Sequence, residues 1–393
     1  MKLSIEQLPL AGRRVFVRAD LNAPLEAGAV SDDTRLRAVL PTLRFALDAG
    51  ASIVLASHLG RPKAGPDPKY SLKPVAVRLS ELLELPVPLA PDCVGEATER
   101  MARALHAGHI LLLENLRFHA EEEANDDSFA RALATLADCY VNDAFAAAHR
   151  AHASIEAITR HLKPAAAGLL MRRELEALGR ILESPARPLV AVLGGAKVSD
   201  KVALVESLVG RVDALVIGGG MAFTFLSALG HAVGRSLVEP DRIETAGAAM
   251  EAAHRRGVPI ALPVDAVVAE GLDSPSGRAV SIRDIAPTHM GLDIGPLTVV
   301  RFTEVLRTAR TIVWNGPMGV FERPAFANGT IAIGRAVAEA PAFTVIGGGD
   351  TIAAVALAGV TDRIGYISTA GGAFLEFLEG RRLPGVDALT EAG

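Results

Sequence analysis

Cysteine is nearly absent. Cys93 and Cys139 are the only two in 393 residues, which excludes a disulfide framework and a cysteine-based metal motif and suits a reducing cytoplasm. Aromatic residues make up 4%, with a single tryptophan. Positive charge is not in excess either. Forty Lys and Arg stand against 45 Asp and Glu, a net charge of −5, so no global basic field draws the chain to nucleic acid. The opening segment MKLSIEQLPLAGRR has no apolar stretch of signal-peptide length. One uncharged run, Ala214 to Gly234, is long enough to cross a bilayer. Gly218, Gly219 and Gly220 cut it into a strand-like run and a separate helix-like run, so no membrane association is expected. Internal repeats and low-complexity stretches are lacking. No segment has the G-x-x-x-x-G-K-[ST] spacing of a P-loop, and none has the G-x-G-x-x-G of a dinucleotide site.

What is present points to α/β architecture. Half the residues are hydrophobic. Ala, Val, Leu and Gly dominate, which suits buried parallel strands covered by Ala-rich helices. A chain this long is expected to form two domains. In the first half, VFVRADLN, SIVLASHLGRP, ILLLENLRF and CYVNDAF read as strands with their following loops, and Thr34 to Ala49 and Leu72 to Leu85 as helices between them. The second half alternates similarly, with PIALPVD and TIVWNGPMG among its strands. The expected fold is therefore two doubly wound parallel-sheet domains. GLLMRRELEALGRILESPARP carries apolar residues at helical spacing before Pro185 and Pro188, so it predicts a joining helix. The expected division is residues 1–168, a helix over 169–185, and residues 186–374, with the tail 375–393 packing back on the first domain.

The second half contains three segments in which a short apolar run breaks into glycines and then a helix-like stretch: LVAVLGGAKVSDK, ALVIGGGMAFTFL and FTVIGGGDTIAAV. Such turns aim backbone N–H groups at a phosphate. Lys197 and Lys201, four residues apart, are expected on one face of a helix after Gly194-Gly195. Like charges there repel by roughly 0.2–0.5 kcal/mol and oppose the helix dipole, so a bound polyphosphate would account for them. Asp350 and Thr351 follow Gly347, Gly348 and Gly349. They read equally well as helix caps and as a Mg²⁺ site, and the two roles are compatible. The strand ends of the first half offer a different set: Arg18, Asp20 and Asn22, then His58 and Arg61, then Asn115 and Arg117, then Asn142, Asp143, His149 and Arg150. One half looks made for a small anionic molecule, the other for a nucleotide.

Several residues carry plainer readings. Arg35 alone reads as a charge on an exposed helix face. His58, His149 and His152 lack zinc spacing. Glu121, Glu122 and Glu123 read as a solvated acidic turn. Trp314 reads as packing. Glu322 reads either as a helix-start acid or as a partner for a ribose hydroxyl.

In order along the chain, VRADLNAP, SHLGRP, LLENLRF, VNDAF with HRAHAS, LGGAKVSDK, GGGMAFTFL, WNGPMGVFE and GGGDT resemble the phosphoglycerate kinase family, essentially from end to end. The resemblance implies reversible phosphoryl transfer between 1,3-bisphosphoglycerate and ADP, giving 3-phosphoglycerate and MgATP. It implies a glycerate site at Asp20, Asn22, Arg35, His58, Arg61, Arg117 and Arg150. It implies a nucleotide site at Lys201, Gly218, Gly219, Gly220, Gly295, Asn315, Glu322 and the turn Gly348, Gly349, Asp350 and Thr351, with Asp350 on Mg²⁺. Arg35, Lys197, Gly371 and Gly372 would face the migrating phosphoryl group. The family is usually monomeric and cytoplasmic and closes like a hinge. The acceptor in the ATP-consuming direction is a carboxylate, already a nucleophile, so no general base is required. Departures are Ala146-Ala147 after NDAF, and Ala370 and Phe374 in the late phosphate-facing turn. Ala370 is expected at negative φ, with Phe374 packed as the first apolar residue of the following helix. The alternatives are another carboxylate kinase and a non-catalytic nucleotide-binding scaffold.

Overall fold

The computed structural model describes residues 1–63, 65–199 and 201–393. Asp200, within LGGAKVSDK, lies outside the described residues. Contacts divide the chain into two units, Met1–Glu176 with Arg382–Gly393, and Ala177–Arg381.

The first unit holds β1 (Arg14–Arg18), β2 (Ser52–Ala56), β3 (Ile110–Leu112), β4 (Cys139–Asn142) and β5 (Ala165–Ala167). They form one parallel sheet in the order β3-β2-β1-β4-β5. β2 to β5 are buried along their whole length, as expected when both faces of a parallel sheet are covered. Helix α1 (Thr34–Asp48) buries Leu36, Val39, Leu40, Leu43 and Ala46, one helical stripe that joins the core of Val15, Val17, Ile53 and Leu55. Helix α2 (Lys73–Leu83) buries Val75, Ala76, Leu79 and Leu83 in the same core. The order reverses between β1 and β4, and the carboxyl ends of the strands on either side of such a reversal are where open α/β sheets bind ligands.

The second unit repeats the plan. β6 (Leu189–Leu193), β7 (Ala214–Ile217), β8 (Ile260–Ala261), β12 (Thr311–Asn315), β13 (Phe343–Gly347) and β14 (Tyr366–Ser368) lie parallel in the order β8-β7-β6-β12-β13-β14. Its core is built on Val190, Val192, Val216, Trp314 and Ile346. Trp314 is fully buried and its ring N–H donates to the Gly316 carbonyl at 2.7 Å, which is packing with a satisfied polar tip. An antiparallel sheet was not expected. β9 (Asp265–Ala269) pairs with β10 (Arg278–Ser281) on one side and β11 (Met290–Ile294) on the other.

Helix α3 (Leu169–Leu182) contains the boundary between the units. Of the tail, residues 382–393 belong to the first unit: Thr390 donates its N–H to the Ala165 carbonyl, and the Asn142 amide donates to Gly385. Residues 375–381 belong to the second unit, where the Ser207 hydroxyl donates to the Glu379 carbonyl. No helix among the described residues is long and apolar enough to cross a membrane.

Candidate active site

In the first unit, four of the expected residues are joined in one chain of polar contacts that runs through Gly60. Arg35, at the start of α1, donates to Asp20 at 2.8 Å. The other Asp20 oxygen accepts the Asn22 N–H at 3.1 Å. Asn22 accepts the Gly60 N–H at 2.8 Å, and Arg117 donates to the Gly60 carbonyl at 2.6 Å. The loops after β1, β2 and β3 are thereby locked to one another and to α1. Arg61 is exposed and lines a cleft of about 160 Å³ with Arg117. Glu123 pairs with Arg117 at 3.0 Å, and the charges of Arg150, Arg18 and Arg61 bear on Arg117 in the opposite sense. Arg150 donates to the His149 ring at 3.1 Å.

His58 stands outside that chain. It is buried, and its Nδ1 lies 3.3 Å from an Arg18 guanidinium nitrogen. A guanidinium has no acceptor. Nδ1 must therefore accept, and Nε2 carries the hydrogen. Burial, then Arg18, Arg117 and Arg35, hold the ring well below its ordinary pKa. His58 is thus a neutral donor among cations.

Two residues differ from their expectation. Glu122 is not part of a solvated turn. It is fully buried, accepts both the N–H and the hydroxyl of Ser154, at 2.9 and 2.6 Å, and stands 4.0 Å from Arg18. The turn Ala120–Glu123 directs Glu121 and Glu123 outward and Glu122 inward. A buried arginine must be paired, so an arginine inside the apolar run VFVRA was the available signal for a hidden partner. Asp143 does not face an anion. It is fully buried and its Oδ1 accepts the N–H groups of Leu170 and Met171, at 2.9 and 3.0 Å, at the start of α3. That is a helix-terminus role.

In the second unit, a cavity of about 390 Å³ is lined by Gly219, Gly220, Glu322 and Asp350 from the expected set. Phe223, Leu272, Met290 and Met318 supply apolar wall. Asp293, which the sequence reading passed over, also lines it. Gly219 sits at φ +67°, where a side chain would be strained and would press on Gly195 and Pro317.

Other expected nucleotide residues build the cavity's supports. The Lys201 ammonium is buried and donates to the carbonyls of Gly194, at 2.6 Å, and Asn315, at 2.9 Å. It staples the ends of β6 and β12, where this sheet's order reverses. The Asn315 amide donates to the Gly347 carbonyl at 2.6 Å. The Gly316 N–H donates to the Thr351 hydroxyl at 2.7 Å. Gly218 backs onto Met318, and Gly295 precedes helix Pro296–Thr308, where any side chain would strike the Asp265 carboxylate. Gly348, at φ +93°, is the N-cap of α7 (Gly349–Ala358), with α4 (Val202–Val209), α5 (Met221–Ala228) and α6 (Ile243–Arg255) preceding it.

Two expectations fail here. Lys197 and Lys201 do not share a helix face. α4 begins only at Val202, and Lys197 is exposed whereas Lys201 is buried. Asp350 does not cap α7, since no side chain caps that helix. Its carboxylate is exposed at the cavity. The late turn behaves as expected. Ala370 is not among the positive-φ residues, Gly371 takes φ +55°, and Gly372 starts α8 (Gly372–Leu378), in which Phe374 is fully buried.

The family model described as "Phosphoglycerate kinase" matches residues 5–381. The chain is 54% identical over 401 residues to the phosphoglycerate kinase of Acidobacterium capsulatum, covering 99% of each. It is 52% identical over 394 residues to a cytosolic phosphoglycerate kinase of Triticum aestivum, covering 99% of this chain and 98% of the other. Among solved structures, phosphoglycerate kinase from Coxiella burnetii superposes with a TM-score of 0.92 at 43% identity, covering 99% of this chain and 98% of that one.

Proposed function

The chain belongs to the phosphoglycerate kinase family, and from that premise we propose how its own residues divide the work. The activity is reversible phosphoryl transfer between 1,3-bisphosphoglycerate and ADP, giving 3-phosphoglycerate and ATP in glycolysis and gluconeogenesis. The enzyme is a phosphotransferase with a carboxyl acceptor.

The glycerate is held by the joined cradle of the first unit. The observation that carries this reading is the chain of contacts Arg35–Asp20–Asn22–Gly60–Arg117. It fixes two cations before any ligand arrives, so binding energy is not spent ordering them. Arg61 and Arg150 add charge, and His58 offers Nε2–H to an anionic oxygen. Asp20 holds Arg35 by its carboxylate until the more highly charged phosphoryl group competes for it.

The nucleotide base enters the apolar part of the second unit's cavity. Glu322 accepts from a ribose hydroxyl, Gly218, Gly219 and Gly220 lie near the adenine, and the N–H groups around Gly348 and Gly349 face phosphate. Lys201 contributes its charge from its seat on two carbonyls, and the exposed Lys197 reaches the phosphoryl group in transit with Gly371 and Gly372. Asp350 fits Mg²⁺. It is a hard oxygen donor at the cavity, uncommitted to capping, and Mg²⁺ takes one or two carboxylates together with substrate phosphates. The ion would neutralise phosphate charge. Two buried free thiols and the cytosolic wheat relative support a cytoplasmic enzyme.

The test is a coupled assay with 3-phosphoglycerate and MgATP. Arg35→Ala should lower kcat by about 10²-fold or more, the cost of losing one preorganised charged donor. The KM for ATP should change little. A kcat within a few-fold of wild type would remove Arg35 from the transfer step.

A further inference from the structure

Close to Arg117 in the chain, three donors of different chemistry converge. A Cys93 sulfur, a His119 ring nitrogen and an Asp92 carboxylate oxygen all lie within 4.8 Å of one another. Among the described residues no other trio of His, Cys, Asp or Glu does so. His119 Nε2 is 2.6 Å from Asp92 Oδ1, and the Cys93 thiol donates to the Glu114 carbonyl at 3.0 Å. Cys93 is sealed from solvent, while the His119 and Asp92 side chains are 23% and 50% exposed. The soft donor therefore lies beneath two that reach water, which leaves an entry path.

A thiolate, an imidazole and a carboxylate form the donor set of a borderline dication and are poorly suited to Mg²⁺. We propose that Asp92, Cys93 and His119 form a site for Zn²⁺ or a chemically similar dication, with the Glu114 carbonyl at its edge. On binding, the Cys93 S–H bond breaks, its proton passes to solvent and a sulfur–metal bond forms. No electron changes hands.

The site's place in the chain states its use. His119 is the N-cap residue of the turn Ala120–Glu123 and lies two residues beyond Arg117. That turn carries Glu122, the counter-ion of Arg18. A metal here ties the Asp92-Cys93 loop to the segment that presents the glycerate cradle's most buried charges. It is a structural clamp, separate in residues and in metal preference from Asp350.

Metal-free, full-length protein is titrated with Co²⁺ in the absence of nucleotide. The expected result is tetrahedral d–d absorption with a thiolate-to-cobalt charge-transfer band, one equivalent of metal per chain, release of a proton, and displacement by Zn²⁺. Cys139→Ser should keep the band and Cys93→Ser should lose it. His119→Ala and Asp92→Asn, at partly exposed positions, should weaken Zn²⁺ binding at least about ten-fold and lose the rise in Tm that Zn²⁺ gives the wild type. Should Cys93→Ser fail to fold, those two variants carry the test, with kinase activity reporting their integrity. No thiolate band at saturating Co²⁺, or a band and affinity unchanged in both His119→Ala and Asp92→Asn, overturns the site.

Discussion

Asp293 is a carboxyl group at the second unit's cavity with no cation beside it among the described residues. Its oxygens accept the N–H groups of Ile294 and Gly329, at 2.9 and 2.6 Å, and burial pushes its pKa from 3.8 up to about 7, against the opposing pull of those bonds. Between those two values the folded protein keeps a proton that the unfolded chain has lost. The resulting stabilisation is fully present below pH 3.8 and is lost as pH rises through about 7. At about 1.4 kcal/mol per pH unit, the loss sums to about 4 kcal/mol. Asn cannot titrate and adds only a pH-independent cost. Asp293→Asn should therefore gain stability relative to wild type on going from pH 5 to pH 8, read from denaturant midpoints. An equal difference at both pH values would show that Asp293 does not hold its proton. The residue also marks how far single positions are legible. His58 and Arg117 stand in motifs whose residue types suit an anion, whereas Arg35 reads alone as a surface charge, and the fold ties it to Asp20. Asp293 and Glu122 stand in no such motif. Their roles come from burial, which depends on which way a turn or strand faces its neighbours, and neighbours distant in sequence leave no local trace.

At the scale of elements, long apolar runs are legible because burial on both faces of a parallel sheet selects Val, Leu and Ile continuously. α1 runs from Thr34 to Asp48, one residue short of the expected end. β10 has no such run, being mostly exposed, and β11 is only partly buried, so the antiparallel sheet escapes notice. The stretch after Gly194-Gly195 reads as helical, yet α4 begins only at Val202. Gly195 takes φ +96°, and Glu239 holds both the N–H and the hydroxyl of Ser199, at 2.9 and 2.6 Å. A distant carboxylate thus outcompetes the first helical turn, whose nucleation is costly. The late turn gives a prediction of its own. Ala370 donates its N–H to the Ser368 hydroxyl at 3.3 Å, and the sharp backbone reversal falls on Gly371. A methyl group at 370 is therefore tolerated. Ala370→Gly should change kcat only a few-fold and cost about 0.4–1 kcal/mol through the freer unfolded chain. A large rise in kcat would mean that the methyl group obstructs the turn.

At the scale of the whole molecule, length and alternation were enough to anticipate two domains, because one core stops growing well below this chain length. They could not place the exchange points. The chain passes between units inside α3, after Glu176, and again after Arg381. Both points are set by which core each turn of helix or tail packs on, not by any break in composition. Each unit has a core of its own, with Leu43 and Ile53 in one and Trp314 and Ile346 in the other, and each holds one of the two proposed sets of ligand-binding residues. A ligand that binds only a folded unit stabilises that unit by mass action, by about 2.7 kcal/mol at a hundred times its Kd. Calorimetry should therefore separate the two sites without any turnover. MgADP should raise the transition of the unit Ala177–Arg381, and 3-phosphoglycerate should raise the other. Leu43→Ala removes buried methyl groups from the first unit's core and should cost it about 2–5 kcal/mol. The transition it lowers should be the one that 3-phosphoglycerate raises and MgADP leaves in place. If MgADP instead raises the transition that Leu43→Ala lowers, while 3-phosphoglycerate raises the other, the ligands have been assigned to the wrong units. If both ligands and Leu43→Ala move a single common transition equally, the two cores unfold as one cooperative body.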